Sequence, residues 1–171
     1  MNTFKSVTRA LVSVVKNLRP GRNNHINKWH VFQPRPNHCV VGCLQSLHLY
    51  LTGKKLSTKV AVEVLESQGD KTLAEEGTTL EAAVKGLRKM RVKFKSRRIG
   101  KIKTTISFMG RMVLTSDEES YVEIHAVLLY RQDGTIWLFD CLQPTGAYEI
   151  TEEHAVRLIN KSDETFRIEK V

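Results

Sequence analysis

Four residues of the types that carry acyl-transfer chemistry stand in a suggestive order along the chain: Gln33, Cys39, His125 and Asp140. Cys39 opens an apolar segment with helical spacing, Cys39, Val40, Cys43, Leu44, Leu47 and Leu51, which Gly53 closes. Pro34 and Pro36 hold the preceding chain extended, and Asn37 is the expected N-cap. The thiol then falls in the first helical turn, where unpaired backbone N–H groups and the helix dipole stabilise a thiolate. Gln33, across the Pro-rich stretch, is positioned to bring its side-chain amide beside the thiol as an oxyanion donor.

A thiol nucleophile also needs a base. His125 heads one strand-like run, His125 to Tyr130, and Asp140 follows another, Thr135 to Phe139, with a Gln132-Asp133-Gly134 turn between them. Pairing Gln132 with Asp133 across that turn predicts Asp140 directly opposite His125. A carboxylate there would fix the imidazole tautomer and stabilise its charged form.

The remaining reactive side chains take plainer readings. Cys43 shares the helical face of Cys39 and reads as core, with the nucleophile role as its alternative. Cys141 is expected to point to the opposite side of its strand from Asp140 and to be structural. His38 reads as a solvated loop residue, or else as a group tuning the adjacent thiol. His30, His48 and His154 have no carboxylate or cysteine partner at metal-ligand spacing, so neither a metal nor another cofactor is expected. Three cysteines without a CxxC pair also argue against a disulfide framework and a structural zinc site.

The elements that must position these residues follow from periodicity. A helix over about 57–67 presents Val60, Val62, Val64 and Leu65, and one over about 78–90 starts at Gly77-Thr78-Thr79 and buries Leu80, Ala83, Val84 and Leu87. Beyond Met90 the period becomes two: 91–99 reads as a half-exposed strand with a basic outer face, and 104–114 as a strand-like region broken at Gly110. A short helix at 151–160 and a final strand at 165–171 complete an α+β domain, helices first and an antiparallel sheet after. Ahead of it, Phe4, Val7, Leu11, Val14 and Leu18 predict a basic amphipathic helix over 3–18, stopped by Pro20-Gly21. The expected organisation is therefore a basic helix or arm over 1–21 and a single domain over 22–171.

Composition excludes several classes. The 171 residues are 41% hydrophobic and 26% charged, as in soluble globular proteins, and no apolar run approaches the length of a membrane span. No secretory signal is recognisable, so a soluble protein is expected, with cytoplasmic residence and export by another route both open. The net charge of +9 is unevenly placed. Residues 1–28 carry six Lys/Arg and no acid, residues 85–103 carry ten and no acid, and the rest has eleven basic against eighteen acidic residues. The 85–103 block lacks interleaved aromatics beyond Phe94 and matches no nucleic-acid motif, so it reads as a solvated face. Docking to an acidic protein partner or inhibitor is its functional alternative, and the N-terminal helix has peripheral membrane contact as its own.

The set Gln33, Cys39, His125 and Asp140 resembles the papain-like cysteine peptidase superfamily, in which these residue types occur in this order with the Cys opening the central helix. The segment Gln33-Pro-Arg-Pro-Asn-His-Cys39 is similar to the papain-type Gln-to-Cys spacing. Leader-peptidase domains of bacteriocin exporters are similar in the Cys helix, in Gly77 to Leu80 and in the His-hairpin-Asp ending. Papain-fold toxin domains are similar in Asn37-His-Cys39, His125-Ala-Val and Asp140-Cys-Leu-Gln143-Pro-Thr-Gly146. Viral leader proteases share the same short plan. The resemblance, over about 33–150, implies a papain-like fold and a thiol hydrolase acting on a protein or peptide amide, foremost a cysteine peptidase, with a toxin or effector role among the expectations. It also implies a place for Gln143 in the cleft, where a simple turn is the alternative. A glutamine deamidase on the same fold, or a non-catalytic papain-like binding module using the basic block, are the alternatives.

Overall fold

Strands whose residues are apolar at both parities have to be covered on both faces, and this requirement organises the molecule. The computed structural model describes residues 24–33, 38–68, 78–117 and 125–171. Their strands are β1 (Phe94–Arg98), β2 (Met112–Asp117), β3 (His125–Gln132), β4 (Thr135–Phe139), β5 (Tyr148–Ile150) and β6 (Phe166–Lys170). They form one antiparallel sheet in the order β1-β6-β2-β3-β4-β5.

Met112, Leu114, Ala126, Leu128, Tyr130, Trp137 and Phe139 face one core, and the alternating residues Val113, Val127, Leu129, Ile136 and Leu138 face another. On the first side lie the helices α2 (Cys39–Thr52), α3 (Thr58–Glu66) and α4 (Leu80–Lys89). On the second lie α5 (Glu152–Lys161), through Ala155, Leu158 and Ile159, and Phe108 of a 3₁₀ turn over Thr105–Phe108. The result is a three-layer α+β arrangement.

Helix α2 is the central one. Val40, Val41, Cys43, Leu44, Leu47, Tyr50 and Leu51 are all buried, and it packs against α3, α4 and β3. Apolar residues around its whole circumference suit a helix enclosed by neighbours. It stops at Gly53, whose φ of 72° lets its N–H reach back to the Leu49 carbonyl. Ser57, Thr79 and Thr151 cap α3, α4 and α5 through their hydroxyls, so the later helix starts coincide with the residues suited to begin them.

Several expectations need correction. Helix α2 is capped by His38 rather than Asn37, and Cys39 is its first helical residue. On α3 the buried residues are Ala61 and Leu65, whereas Val60 is 41% exposed. Four valine and leucine positions compete for one side of this short helix, and the stripe through Ala61 and Leu65 takes the core. Residues 104–114 are not one broken strand: the 3₁₀ turn comes first, Gly110 follows with φ 69°, and β2 starts at Met112. The polar stretch before Cys39 contains a four-residue helical turn, α1 (Asn24–Asn27). Trp29 behind it packs edge-on against Tyr50 and Tyr130. The expected helix at 3–18, the Pro34–Pro36 stretch, Asn37 and Gly77 lie outside the described residues.

The basic 85–103 block runs from the last turns of α4 into β1, an outer strand of the sheet. Lys93, Lys95, Arg97 and Arg98 are exposed. Arg88 donates to the Ser96 hydroxyl and Arg98 to the Asp163 carbonyl. Lysine and arginine along an outer strand discourage pairing with another sheet.

The two-sided core predicts unequal costs of truncation. Leu44→Ala should lower the free energy of unfolding by about 2–5 kcal/mol. Val60→Ala should change it by no more than about 0.5 kcal/mol. Urea unfolding with a common m-value checks both, and equal losses would contradict the packing assigned to α3.

Candidate active site

Cys39 stands at the N-terminus of α2, whose His38 cap makes no side-chain capping bond. Its side chain is half-buried. Burial alone would raise the thiol pKa. A hydrogen bond with the His125 ring, donation from the Ala126 backbone N–H, the charge of His125 and donation from the Val40 N–H outweigh it and hold the thiol below its ordinary value. The neighbouring strand end therefore adds to the first-turn N–H groups expected to favour a thiolate.

His125, the first residue of β3, is buried, and its Nε2 lies 2.7 Å from Oδ1 of the buried Asp140. Burial pushes the imidazole pKa down, but the bonds to Asp140 and to Cys39 carry it up to about 10. With Nε2 on the carboxylate, the ring's other nitrogen, Nδ1, is the one left to meet the thiol.

The hairpin achieves this in a different register from the one expected. Gln132 pairs with Thr135 and Leu128 with Phe139, leaving Asp133-Gly134 as a two-residue loop with φ of 50° and 82°. Both positive values belong to a type I′ turn, which matches the twist of the flanking strands. Asp140 is thus displaced by two positions from the expected partner of His125. Asp140 lies just past the last ladder pair, Leu128 with Phe139, and reaches His125 from the turn that follows β4. Beyond Phe139 the backbone turns, and Asp140 Oδ1 also accepts the Leu142 N–H at 2.9 Å. The carboxylate is held by its own turn as well as by the imidazole.

Gln33 is only 4% exposed and is tied to the site at two points. Its N–H donates to the Cys141 carbonyl at 2.6 Å, and its Oε1 accepts from the Cys141 thiol at 3.0 Å. Val31 N–H donates to Ser46 of α2, and the Ala147 N–H donates to the Asn27 side chain, which ties the incoming segment across the helix and the loop after Asp140.

Cys141 agrees with its structural reading in being buried, but it does not point away from the His125 and Asp140 pair. Its sulfur lies within 4.8 Å of the ligand atoms of both His125 and Asp140. The two-residue alternation predicting the opposite side applies only within β4, which ends at Phe139. Cys43 is core, as its first reading had it: it is 1% exposed, and contact with Cys141 together with burial pushes its thiol well up. His38 is 7% exposed, buried by its position at the helix start rather than solvated. Gln143 lies in the turn, its N–H donating to the Asp140 carbonyl.

Two further residues lie at the site that the sequence did not place there. His30 Nε2 lies 2.8 Å from the Asp140 carbonyl oxygen and its ring stacks on Phe139, while burial lowers its pKa. Asp117 is buried and opposes His125 across the β2–β3 ladder. A nonlocal register was needed to find either. Among the described residues, His125, Asp140 and Cys141 also form a donor set close enough to be considered for a metal ion. A cation there would have to displace the hydrogen bond that His125 and Asp140 already share.

No family model matches this chain, and no curated protein matches it in sequence. Among solved structures, it is similar to the peptidase domain of Streptococcus ComA, a bi-functional ABC transporter involved in a quorum-sensing pathway. The TM-score is 0.58 at 15% identity, over 83% of this chain and 98% of that domain. Identity this low speaks for architecture alone: the chain has the α+β fold of a papain-like cysteine peptidase domain.

Proposed function

We propose that this chain is a cysteine peptidase in which Cys39 is the nucleophile, His125 the general acid and base, Asp140 the group orienting His125, and Gln33 an oxyanion donor. The observation carrying the proposal is the bridging position of His125, hydrogen-bonded to Asp140 at 2.7 Å and to the Cys39 thiol.

The chemistry follows from that bridge. A lowered thiol pKa and an imidazole pKa carried up to about 10 both shift the balance toward the thiolate and imidazolium pair. The thiolate attacks the amide carbonyl, and negative charge collects on its oxygen, which the Gln33 amide and the Cys39 N–H stabilise. The imidazolium protonates the departing amine as the C–N bond breaks, leaving a thioester on Cys39 and a neutral imidazole. That imidazole then removes a proton from water, which attacks the thioester and restores the thiol and the acid product. Asp140 keeps the ring oriented and its cationic form stable throughout.

The substrate class is a protein or peptide. Glutamine deamidation and a toxin role, expected from the resemblance to toxin domains, gain no support from the likeness to the ComA peptidase domain. An idle thiol serving a binding module would have no need of the charge pairing at Cys39.

Incubation with a proteome-derived peptide library should generate new N-termini, read by mass spectrometry. Cys39→Ala should reduce them by at least about 10³-fold. Masses shifted by conversion of glutamine to glutamate, without chain cleavage, would replace the peptidase reading with deamidation. In a second test, NMR titration of the His125 ring should give a midpoint near 10 in the wild type. Asp140→Asn should move it toward the ordinary histidine range, because it removes the negative charge that favours the imidazolium while leaving an amide oxygen to accept from the ring. An unchanged midpoint would exclude Asp140 as the stabilising partner.

A further inference from the structure

An oxyanion donor supplied by a glutamine raises a question of orientation. The side-chain amide has a donating and an accepting end of nearly the same shape, and only the NH₂ end stabilises negative charge. Something must hold the carbonyl end. In this protein the Cys141 thiol donates to Gln33 Oε1 at 3.0 Å, and the same two residues are joined again by the 2.6 Å bond from Gln33 N–H to Cys141 O. A cysteine thiol that donates to oxygen selects the amide rotamer with Nε2 as its outward donor.

The surroundings favour this contact. Gln33 and Cys141 are both buried, so water does not readily substitute for the thiol. Gly42 of α2 provides the room: a Cβ there would stand 2.7 Å from Cys141 Cβ and 3.6 Å from Gln33 Cβ. The glycine thus brings the helix carrying Cys39 against both residues. The Cys141 sulfur also lies 3.7 Å from the Cys39 carbonyl oxygen, which ties it to the first turn of that helix. Cys141 directly follows Asp140 in sequence, so the turn that holds the carboxylate on His125 also carries the thiol that holds Gln33.

We infer that Cys141 is a positioning residue for the oxyanion site: its thiol holds the Gln33 carboxamide by its carbonyl end, so that the NH₂ end is the one turned to the developing oxyanion. The inference rests on the peptidase reading given above and on the role of Gln33 within it. Cys141 acts on the oxyanion through Gln33.

Two reagents separate this role from a structural one. Acylation of Cys39 by p-nitrophenyl acetate passes through an oxyanion, whereas alkylation by iodoacetamide is a displacement at saturated carbon and needs none. Both are followed by mass spectrometry at Cys39 in the full chain. Gln33→Ala should slow acylation by about 10²-fold. Cys141→Ala should slow it by about tenfold or more while alkylation stays within about threefold of wild type. Cys141→Ser, which retains a hydroxyl donor, should recover most of the loss. In the Gln33→Ala background, Cys141→Ala should add nothing, because its target is gone. Should Cys141→Ala fail to fold, Cys141→Val serves as the donor-free variant for the same comparisons.

The inference is overturned if Cys141→Ala acylates as fast as wild type while Gln33→Ala is slow, and the Gln33 role then stands without it. It is also overturned if Cys141→Ala slows both reactions alike, or slows acylation equally with and without Gln33. Normal acylation in Gln33→Ala would remove the oxyanion role itself and the inference with it. Failure of wild-type Cys39 to acylate at all would instead refute the underlying peptidase reading.

Discussion

A half-buried thiol is ordinarily poorly ionised, because removing a thiolate from water is costly. Here the cost is opposed first by a hydrogen bond between Cys39 and a histidine that is itself held toward the cationic form by a buried carboxylate, with the Ala126 and Val40 N–H groups adding to it. Neither charge would be stable in that environment alone. The pair requires the start of α2, the first residue of β3 and the turn after β4 to meet at one point. Much of the structure can be understood as the means of bringing those three chain segments together.

The sheet supplies the rigidity. Its central strands are buried on both faces, between the α2–α4 layer and α5, so the ends of β3 and β4 have little freedom to drift. The type I′ loop at Asp133-Gly134 sets the hairpin register, and hence where Asp140 emerges. Gly42 allows α2 to approach the Asp140-Cys141 turn closely. The segment from Asn27 to Gln33 is then laid across both, with Trp29 wedged against Tyr50 and Tyr130 and Gln33 bonded to Cys141. A path through these contacts links helix, hairpin and incoming segment, and Cys39, Cys43 and Cys141 are all free thiols.

The legible and illegible features divide by range of interaction. Helix starts at Ser57, Thr79 and Thr151 and the stop at Gly53 depend on a few adjacent residues, and the periodic pattern located those helices to within a residue or two. The proximity of His125 and Asp140 was predicted from a wrong register, and it survives because the turn just after Phe139 brings Asp140 to the start of β3. Cys141 was misplaced because strand alternation was extended past Phe139, where the chain has already turned. The burial of His38, the opposition of Asp117 to His125 and the contact of His30 with Asp140 all depend on segments far apart in sequence. No local pattern encodes such contacts. At Val60 the limit was different: a short helix rich in valine offers more than one apolar face, and only its neighbours select one.

The central claim is that Cys39 is ionised by His125. Its direct test is the pH dependence of Cys39 alkylation by iodoacetamide, with the modified residue located by mass spectrometry, in wild type and in His125→Ala. The thiol pKa is lowered and the imidazole pKa raised, so the thiolate should persist below the ordinary thiol range, with rapid labelling already at pH 7. His125→Ala should shift the profile to that of an unassisted thiol, with a midpoint near or above ~8.5. Overlapping profiles with that ordinary midpoint in both proteins would contradict the account.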